Sequence, residues 1–227
     1  MAMSYTVDLH THSIASPDGA LRTEDYLRML ERDRLSVIAV TDHNTTEFAR
    51  QLQAELGGPD SALGKRIIVG EEIRTTEGEI IGLYLTETIP KMLTPRETVS
   101  AIRKQGGLVC IPHPFEGVRR GITESALTDI ADEVDIIEVH NGRAVFQNKS
   151  KQAYAWADAH GWSGVASSDS HAVPGWGRTF TTVHAEPTRK TLVKLLKTAE
   201  YHVAFPGVRA VLYPKYNRLK KWYGRNA

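Results

Sequence analysis

Short apolar runs alternate along the chain with longer stretches of helical period. Runs at 5–9, 36–40, 66–69, 79–85, 108–111, 134–139 and 164–167 are rich in β-branched residues and read as strands. Helices are expected between them at 23–34, 46–56, 95–105, 125–132, 144–159 and 188–198. The first carries Leu27, Leu30 and Leu35 near one stripe, with Thr23 as the expected N-cap. The pair Gly57-Gly58 and Pro59 stop the second. Thr94 and Pro95 open the third, and Gly106-Gly107 close it. Gly161 ends the helix at 144–159. Strands separated by helices predict an α/β fold with a largely parallel sheet, because the helices can supply the crossover connections that parallel strands need.

From Pro206 the pattern changes. Residues 209–225 carry Arg209, Lys215, Arg218, Lys220, Lys221 and Arg225 among Tyr213, Tyr216, Trp222 and Tyr223, with no acidic residue. We therefore divide the chain into a domain at 1–205 and a basic-aromatic extension at 206–227. The aromatics are expected to dock this tail while its cations face water. The other reading, cations and stacking rings gripping a nucleic-acid strand, is less favoured.

Composition changes this picture little. The 227 residues are 41% hydrophobic and 24% charged, with a net charge of +1, so nothing pulls the whole protein towards nucleic acid or an acidic surface. The single cysteine, Cys110, excludes an internal disulfide and any cysteine-built zinc site. No signal-peptide pattern opens the sequence and no apolar run is long enough to span a bilayer, so a cytoplasmic protein without a membrane partner is expected.

The candidate chemistry sits at strand ends. Six of the nine histidines, His10, His12, His43, His113, His140 and His171, fall at or just past the C-terminal end of an expected strand, as do Glu72 and Asp169. In a parallel α/β sheet or barrel that edge gathers residues remote in sequence. His10 and His12, two apart on an extended segment, point the same way, with Asp8 as the expected carboxylate behind an imidazole. Glu138 and His140 are expected to share a face in the same manner. Each cluster alone is modest; their coincidence on several strands is not expected of unrelated structural histidines. Imidazole and carboxylate donors without thiolate suit zinc, manganese or iron rather than calcium. His160, His184 and His202 fall outside the pattern.

Taken together, Asp8-Leu9-His10-Thr11-His12-Ser13 with Ser16-Pro17-Asp18-Gly19, then Thr41-Asp42-His43-Asn44, Gly70-x-Glu72-Ile73, Pro112-His113-Pro114 and Ser168-Asp169-Ser170-His171 resemble the polymerase and histidinol phosphatase (PHP) family. The resemblance implies a distorted (β/α)7 barrel, two or three divalent ions and phosphoester hydrolysis. It implies that His10, His12, Glu72 and Asp169 hold one ion, that Glu72 bridges to a second held by His113, and that Asp18, His43 and His171 hold the third. Many members supply a further histidine after the glutamate; residues 75–90 contain none, and His140 is the expected substitute.

The implied reaction is hydrolysis by metal-activated water, with Asp169 at the centre and His43 or His171 protonating the leaving oxygen. Arg119 and Arg143, just beyond expected ligands, are candidates for binding the phosphate. The expected substrate is a small-molecule or nucleotide phosphate ester. The alternatives are an exonuclease or oligonucleotide phosphodiesterase, hydrolysis of C–N or carboxylic ester bonds as in amidohydrolases, and a non-catalytic metal-binding module.

Overall fold

The computed structural model describes residues 4–32, 34–145 and 147–226. Its elements are β1 (Tyr5–Asp8), α1 (Thr23–Glu31), β2 (Val37–Val40), α2 (Glu47–Glu55), β3 (Ile67–Thr75), β4 (Gly78–Leu83), α3 (Pro95–Lys104), β5 (Leu108–Ile111), α4 (Glu124–Asp129), β6 (Ile136–Asn141), α5 (Ser150–His160), β7 (Ser163–Ser167), β8 (Phe180–Val183), α6 (Leu192–Leu196), β9 (Glu200–His202) and α7 (Val208–Asn226). All seven expected strands are present. Thr94 caps α3 as expected: its hydroxyl accepts from Glu97 N, and the Glu97 carboxylate accepts from Thr94 N. Thr23 is instead the first residue of α1, with Arg22 in the cap position. The helix expected from 144 starts at Ser150; residues 33, 146 and 227 lie outside the described residues, as does the Arg225 side chain.

The strands form one sheet in the order β7-β6-β5-β4-β3-β2-β1-β8-β9, curled into a nearly closed, distorted barrel. His12 N donates to Ser170 O at 2.8 Å, and Thr181 Oγ1 meets both Ala166 N and Ala166 O, drawing the two sides of the gap together. The sheet is less parallel than expected. β3 and β4 are joined by the two residues Thr76 and Glu77, with Gly78 at φ +127°, which permits only a hairpin. β4 therefore runs antiparallel to β3 and β5. β8 and β9, also antiparallel, are short and lack the apolar run that marks the other strands in the sequence.

Most barrel strands are buried on both faces, which is why they read as continuous apolar runs. Ile38, Val40, Ile67 and Val69 face outward onto Tyr26, Leu30 and Leu52 of the helices. Val37, Ala39, Ile68, Ile81, Cys110, Ile136 and Val165 face inward, joined by Leu192 and Leu196 of α6. Following the inner face two or four residues on changes its character: Ile68 gives way to Glu72, Ile81 to Glu79 and Ile136 to Glu138. One end of the barrel is thus greasy and the other is charged. Among the described residues no helix is long and apolar enough to cross a membrane.

Candidate metal centre

The charged end of the barrel brings eight of the nine expected ligands together. His10 and His12 follow β1 on extended backbone, with Nε2 atoms 3.1 Å apart. Glu72 of β3 sits below them: its Oε2 lies 3.5 Å from His10 Nε2, 3.4 Å from His12 Nε2 and 2.9 Å from His43 Nδ1. Its Oε1 lies 2.9 Å from His113 Nε2. Asp169 Oδ1 lies 3.6 Å from His10 Nε2 and 3.3 Å from His12 Nε2. Asp18 Oδ1 lies 3.5 Å from both His43 Nε2 and His171 Nε2. Glu71 points away and accepts from Ile89 N, so Glu72 is the inward glutamate.

Among the described residues, four overlapping groups have donor atoms close enough to share a cation: His10, His12 and Glu72; His10, His113 and Asp169; His12, His43 and His171; and His43, Glu72 and Glu79. Donors about 2.1 Å from one tetrahedral ion lie roughly 3.4 Å apart, close to the 3.1–3.6 Å that separates the His10 and His12 Nε2 atoms from each other and from Glu72 and Asp169. Asp18 Oδ1, Glu72 Oε2 and His113 Nδ1 are buried without a hydrogen-bond partner. Such atoms are costly unless something else satisfies them, and a cation satisfies the two carboxylate oxygens. The residues therefore fit divalent ions.

Surrounding groups orient the imidazoles. His10 Nδ1 lies 3.2 Å from Glu138 Oε1, placing its proton there and turning the Nε2 lone pair inward. His12 Nδ1 lies 3.1 Å from Ser16 Oγ, whose own proton goes to Asp42 Oδ1 at 2.7 Å. His171 Nδ1 faces Asp169 O at 2.9 Å. Asp8, expected behind an imidazole, does something else. It accepts from Ser168 N, Ser168 Oγ and Trp176 Nε1, pinning the Asp169 loop to β1. The carboxylate behind His10 is Glu138. His113 at φ +29° and Asp169 at φ +51° hold unusual backbone conformations for bulky residues, which the surrounding contacts enforce. Gly19 allows the Asp18 loop to close, since a Cβ there would lie 2.0 Å from Ser13 O.

The field is mixed. Burial works to lower His10, but Asp169, Glu72 and Glu138 raise it well above the ordinary histidine range. Burial and the charges of His171 and His43 push His12 down to about 3. For Asp169, Arg143 and His10 overcome burial and hold the carboxyl well below its ordinary value. Burial and the neighbouring Glu72 push Glu79 up to about 8.

His140 is not part of this centre. A bulge between Glu138 and His140 puts them on opposite faces, so Glu138 turns inward while His140 turns outward to Tyr154 Oη at 3.1 Å. The group that accompanies Glu72 and His113 is Glu79, whose Oε2 is 4.0 Å from His113 Nε2. Glu79 went unnoticed because β4 is antiparallel and enters the charged end at its start rather than its finish. The register pairing Arg74 with Glu79 and Glu72 with Ile81 puts Glu72 and Glu79 on one face.

Arg119 and Arg143 both reach Asp169, at 3.1 and 3.3 Å, and both line the pocket above the centre. Arg119 also holds Glu116 and Asn141, whereas the Nε of Arg143 is buried without a partner. α7 lies across one side of the mouth. Asn217 Nδ2 donates to Asp18 O and His171 O, Arg218 Nη2 meets Asp18 Oδ2 at 2.7 Å, and Lys221 Nζ donates to Ile14 O. Lys215, Arg218 and Lys220 are exposed, as expected of the cations. Polar residues make its contacts with the mouth, while Tyr216, Trp222 and Tyr223 are 57–60% exposed.

Known proteins resemble this chain at both levels. The PHP domain model matches residues 8–139, and the PHP-associated model matches residues 148–201. An uncharacterised protein of Methanocaldococcus jannaschii is 32% identical over 151 residues, 62% of this chain and 86% of the relative. The 5'-3' exoribonuclease Rnm of Escherichia coli is 36% identical over 133 residues, but the match covers 53% of this chain and 44% of Rnm. Among solved structures, a two-domain Bacteroides vulgatus protein containing a predicted PHP-like metal-dependent phosphoesterase superposes with a TM-score of 0.70 at 19% identity. That match covers 95% of this chain and 70% of the other. Endonuclease Q, in complex with a duplex bearing an abasic lesion, gives a TM-score of 0.68 at 16% identity, over 90% of this chain and 60% of that one. At such identities the structural matches speak for the fold, whereas the family model covers more than half of this chain. The chain belongs to the PHP domain family.

Proposed function

We propose that this protein is a metal-dependent phosphoesterase that hydrolyses a phosphate mono- or diester of a small molecule or nucleotide. One observation carries the reading: the cation-binding groups open into a pocket whose rim is basic, lined by Arg119, Arg120, Arg143, Lys215 and Arg218. Anionic donors at the floor and guanidinium groups at the rim suit a substrate that bridges cations and arginine, as a phosphate ester does. Neutral amides and lactones offer less to such a rim, so C–N or carboxylic ester hydrolysis is the weaker reading.

His10, His12, Glu72 and Asp169 would hold one ion. Glu72, His113 and Glu79 would hold a second, and Asp18, His43 and His171 a third; manganese, zinc and iron all suit this donor set. Ions held there would bring the pKa of water towards 7 and polarise the phosphoryl group. The chain's own residues do the rest. Arg143, with its unpartnered Nε, orients the phosphate and, with His10, keeps Asp169 ionised against the pull of burial, while Arg119 holds the Asp169 Oδ2. Glu138, Ser16 and the Asp169 carbonyl keep three imidazoles in the tautomer that presents Nε2 inward. Whichever of His43 and His171 is not committed to a cation holds the proton for the leaving oxygen.

A panel of phosphate mono- and diesters with added manganese, run beside Asp169→Ala, tests this. Turnover of a phosphate ester that is lost in the variant is expected. Turnover confined to amides or lactones would replace the reading with the amidohydrolase one.

A further inference from the structure

α7 follows the family-matched segments and is not explained by the metal centre alone. Its 19 residues carry Arg209, Lys215, Arg218, Lys220, Lys221 and Arg225 and no acidic residue. Its inner face is accounted for by Asn217 and Lys221. A flank remains. Lys215, Arg218 and Trp222 are spaced i, i+3 and i+7, and therefore form one stripe along the helix. The first two line the pocket, and the third lies one turn farther out, 59% exposed. Arg218 uses one nitrogen on Asp18 and is 66% exposed, leaving other N–H groups for a ligand. Arg120 lines the same pocket and is 57% exposed.

We propose that this flank of α7 is a binding track for single-stranded nucleic acid, leading the strand away from the metal centre. Lys215 and Arg218 take phosphates next to the scissile one, and Trp222 stacks on a base. The track spans seven residues, about 10 Å at 1.5 Å per residue. That suits a short run of nucleotides, which lie roughly 3.4 Å apart along a duplex and farther apart in an extended single strand. A basic groove that follows the backbone, combined with an aromatic ring for the bases, is how proteins hold single strands without reading sequence. An anionic membrane is the poorer partner: lying on the outward stripe of Leu212, Tyr216, Leu219 and Tyr223, it would miss the two cations aimed at the pocket. The proposal rests on the phosphoesterase reading and goes beyond it, extending the diester substrate from a nucleotide to an oligonucleotide, and its test does not depend on turnover.

The test is fluorescence anisotropy of labelled ten-nucleotide single strands of DNA and RNA with the full chain in chelator, at several salt concentrations. The parent protein should bind at least one of the two, with affinity falling as salt rises. Lys215→Ala should shallow the log–log salt slope by about 0.7, the contribution of one phosphate on a single strand. Trp222→Ala should weaken binding about tenfold with the slope unchanged. A nucleoside monophosphate should compete at least about a hundredfold less well than an unlabelled ten-mer. Thermal melting of both variants guards against misfolding, and because both side chains are exposed, little change is expected. Parent-like binding by both variants, or equal competition by the mononucleotide, would overturn the proposal. So would binding of phosphatidylserine vesicles without binding of either strand. Hydrolysis of a small chromogenic diester with manganese is scored separately. Turnover without strand binding removes the track and leaves the phosphoesterase standing; strand binding without turnover does the reverse.

Discussion

The two sides of the barrel mouth are built differently. On the side of β1, β2 and β7, Asp18, His43 and His171 come from loops that follow parallel strands, and α7 clamps them through Asn217 and Arg218. On the side of β3 to β5, Glu72, Glu79 and His113 come from a hairpin and its neighbour, and Arg120, 3.9 Å from Glu79, is the cation beside them. The first side is rich in imidazole and held from outside. The second is rich in carboxylate and held by its own strands. Glu72 joins the two, reaching His43 with one oxygen and His113 with the other. The contrast teaches that one candidate metal centre can rest on two kinds of support, which substitutions should separate.

The largest effect is expected at the shared middle. Asp169→Ala removes a donor close to both His10 and His12, and should lower phosphoester turnover by more than the ~100-fold typical of losing a supporting contact. Steady-state kinetics at saturating manganese measure it. Next, Glu79→Gln should weaken one class of bound ion roughly 10–100-fold and spare the ions on the α7 side, whereas Arg218→Ala should affect only the class held by Asp18. Manganese titration followed by calorimetry distinguishes these; identical profiles for the two variants would erase the distinction between the sides.

Loading the centre should also stabilise the fold. At 100 times the dissociation constant one ion contributes about 2.7 kcal/mol, or roughly 5–10 °C in melting temperature for a chain of this size. Asp169→Ala should lose much of that rise. A smaller effect concerns Glu71, on the far face of β3, where burial pushes the carboxyl up to about 7. The folded state binds this proton more tightly than the unfolded chain, so stability is greatest below about 4.5 and is lost as pH rises towards 7. Glu71→Gln should raise the melting temperature at pH 8 and flatten its decline between pH 5 and 7. The smallest effect is expected at His140, which is turned outward: His140→Ala should change stability by no more than about 0.5 kcal/mol and leave manganese binding unaltered.

The same contrast decides what could be read from the sequence. His10, His12, His43, His113, Asp169 and His171 were legible because parallel strands deliver their C-terminal ends to one mouth. Glu79 was illegible by that logic, since a two-residue turn reverses β4 and its first residues, not its last, reach the site. His140 misled because alternation was assumed through β6, where a bulge resets the face after Glu138. Asp8 misled because a carboxylate next to a His-x-His pair can serve the adjoining loop instead. The strands themselves were legible from their two-faced burial, but β8 and β9 carried no comparable apolar signal. The contacts made by α7 were hidden for another reason: basic and aromatic residues suit both a docked face and a solvated one, and only the positions of Asn217, Arg218 and Lys221 decide which is which.

The central claim is that one mouth gathers these donors around shared cations. Anomalous diffraction from crystals of the protein soaked in manganese tests it most directly. The account predicts at least two peaks, one within about 2.3 Å of donors from His10, His12, Glu72 and Asp169, and one beside His113 and Glu79 or beside Asp18, His43 and His171. Manganese absent from this mouth, or bound only at surface carboxylates elsewhere, would contradict it.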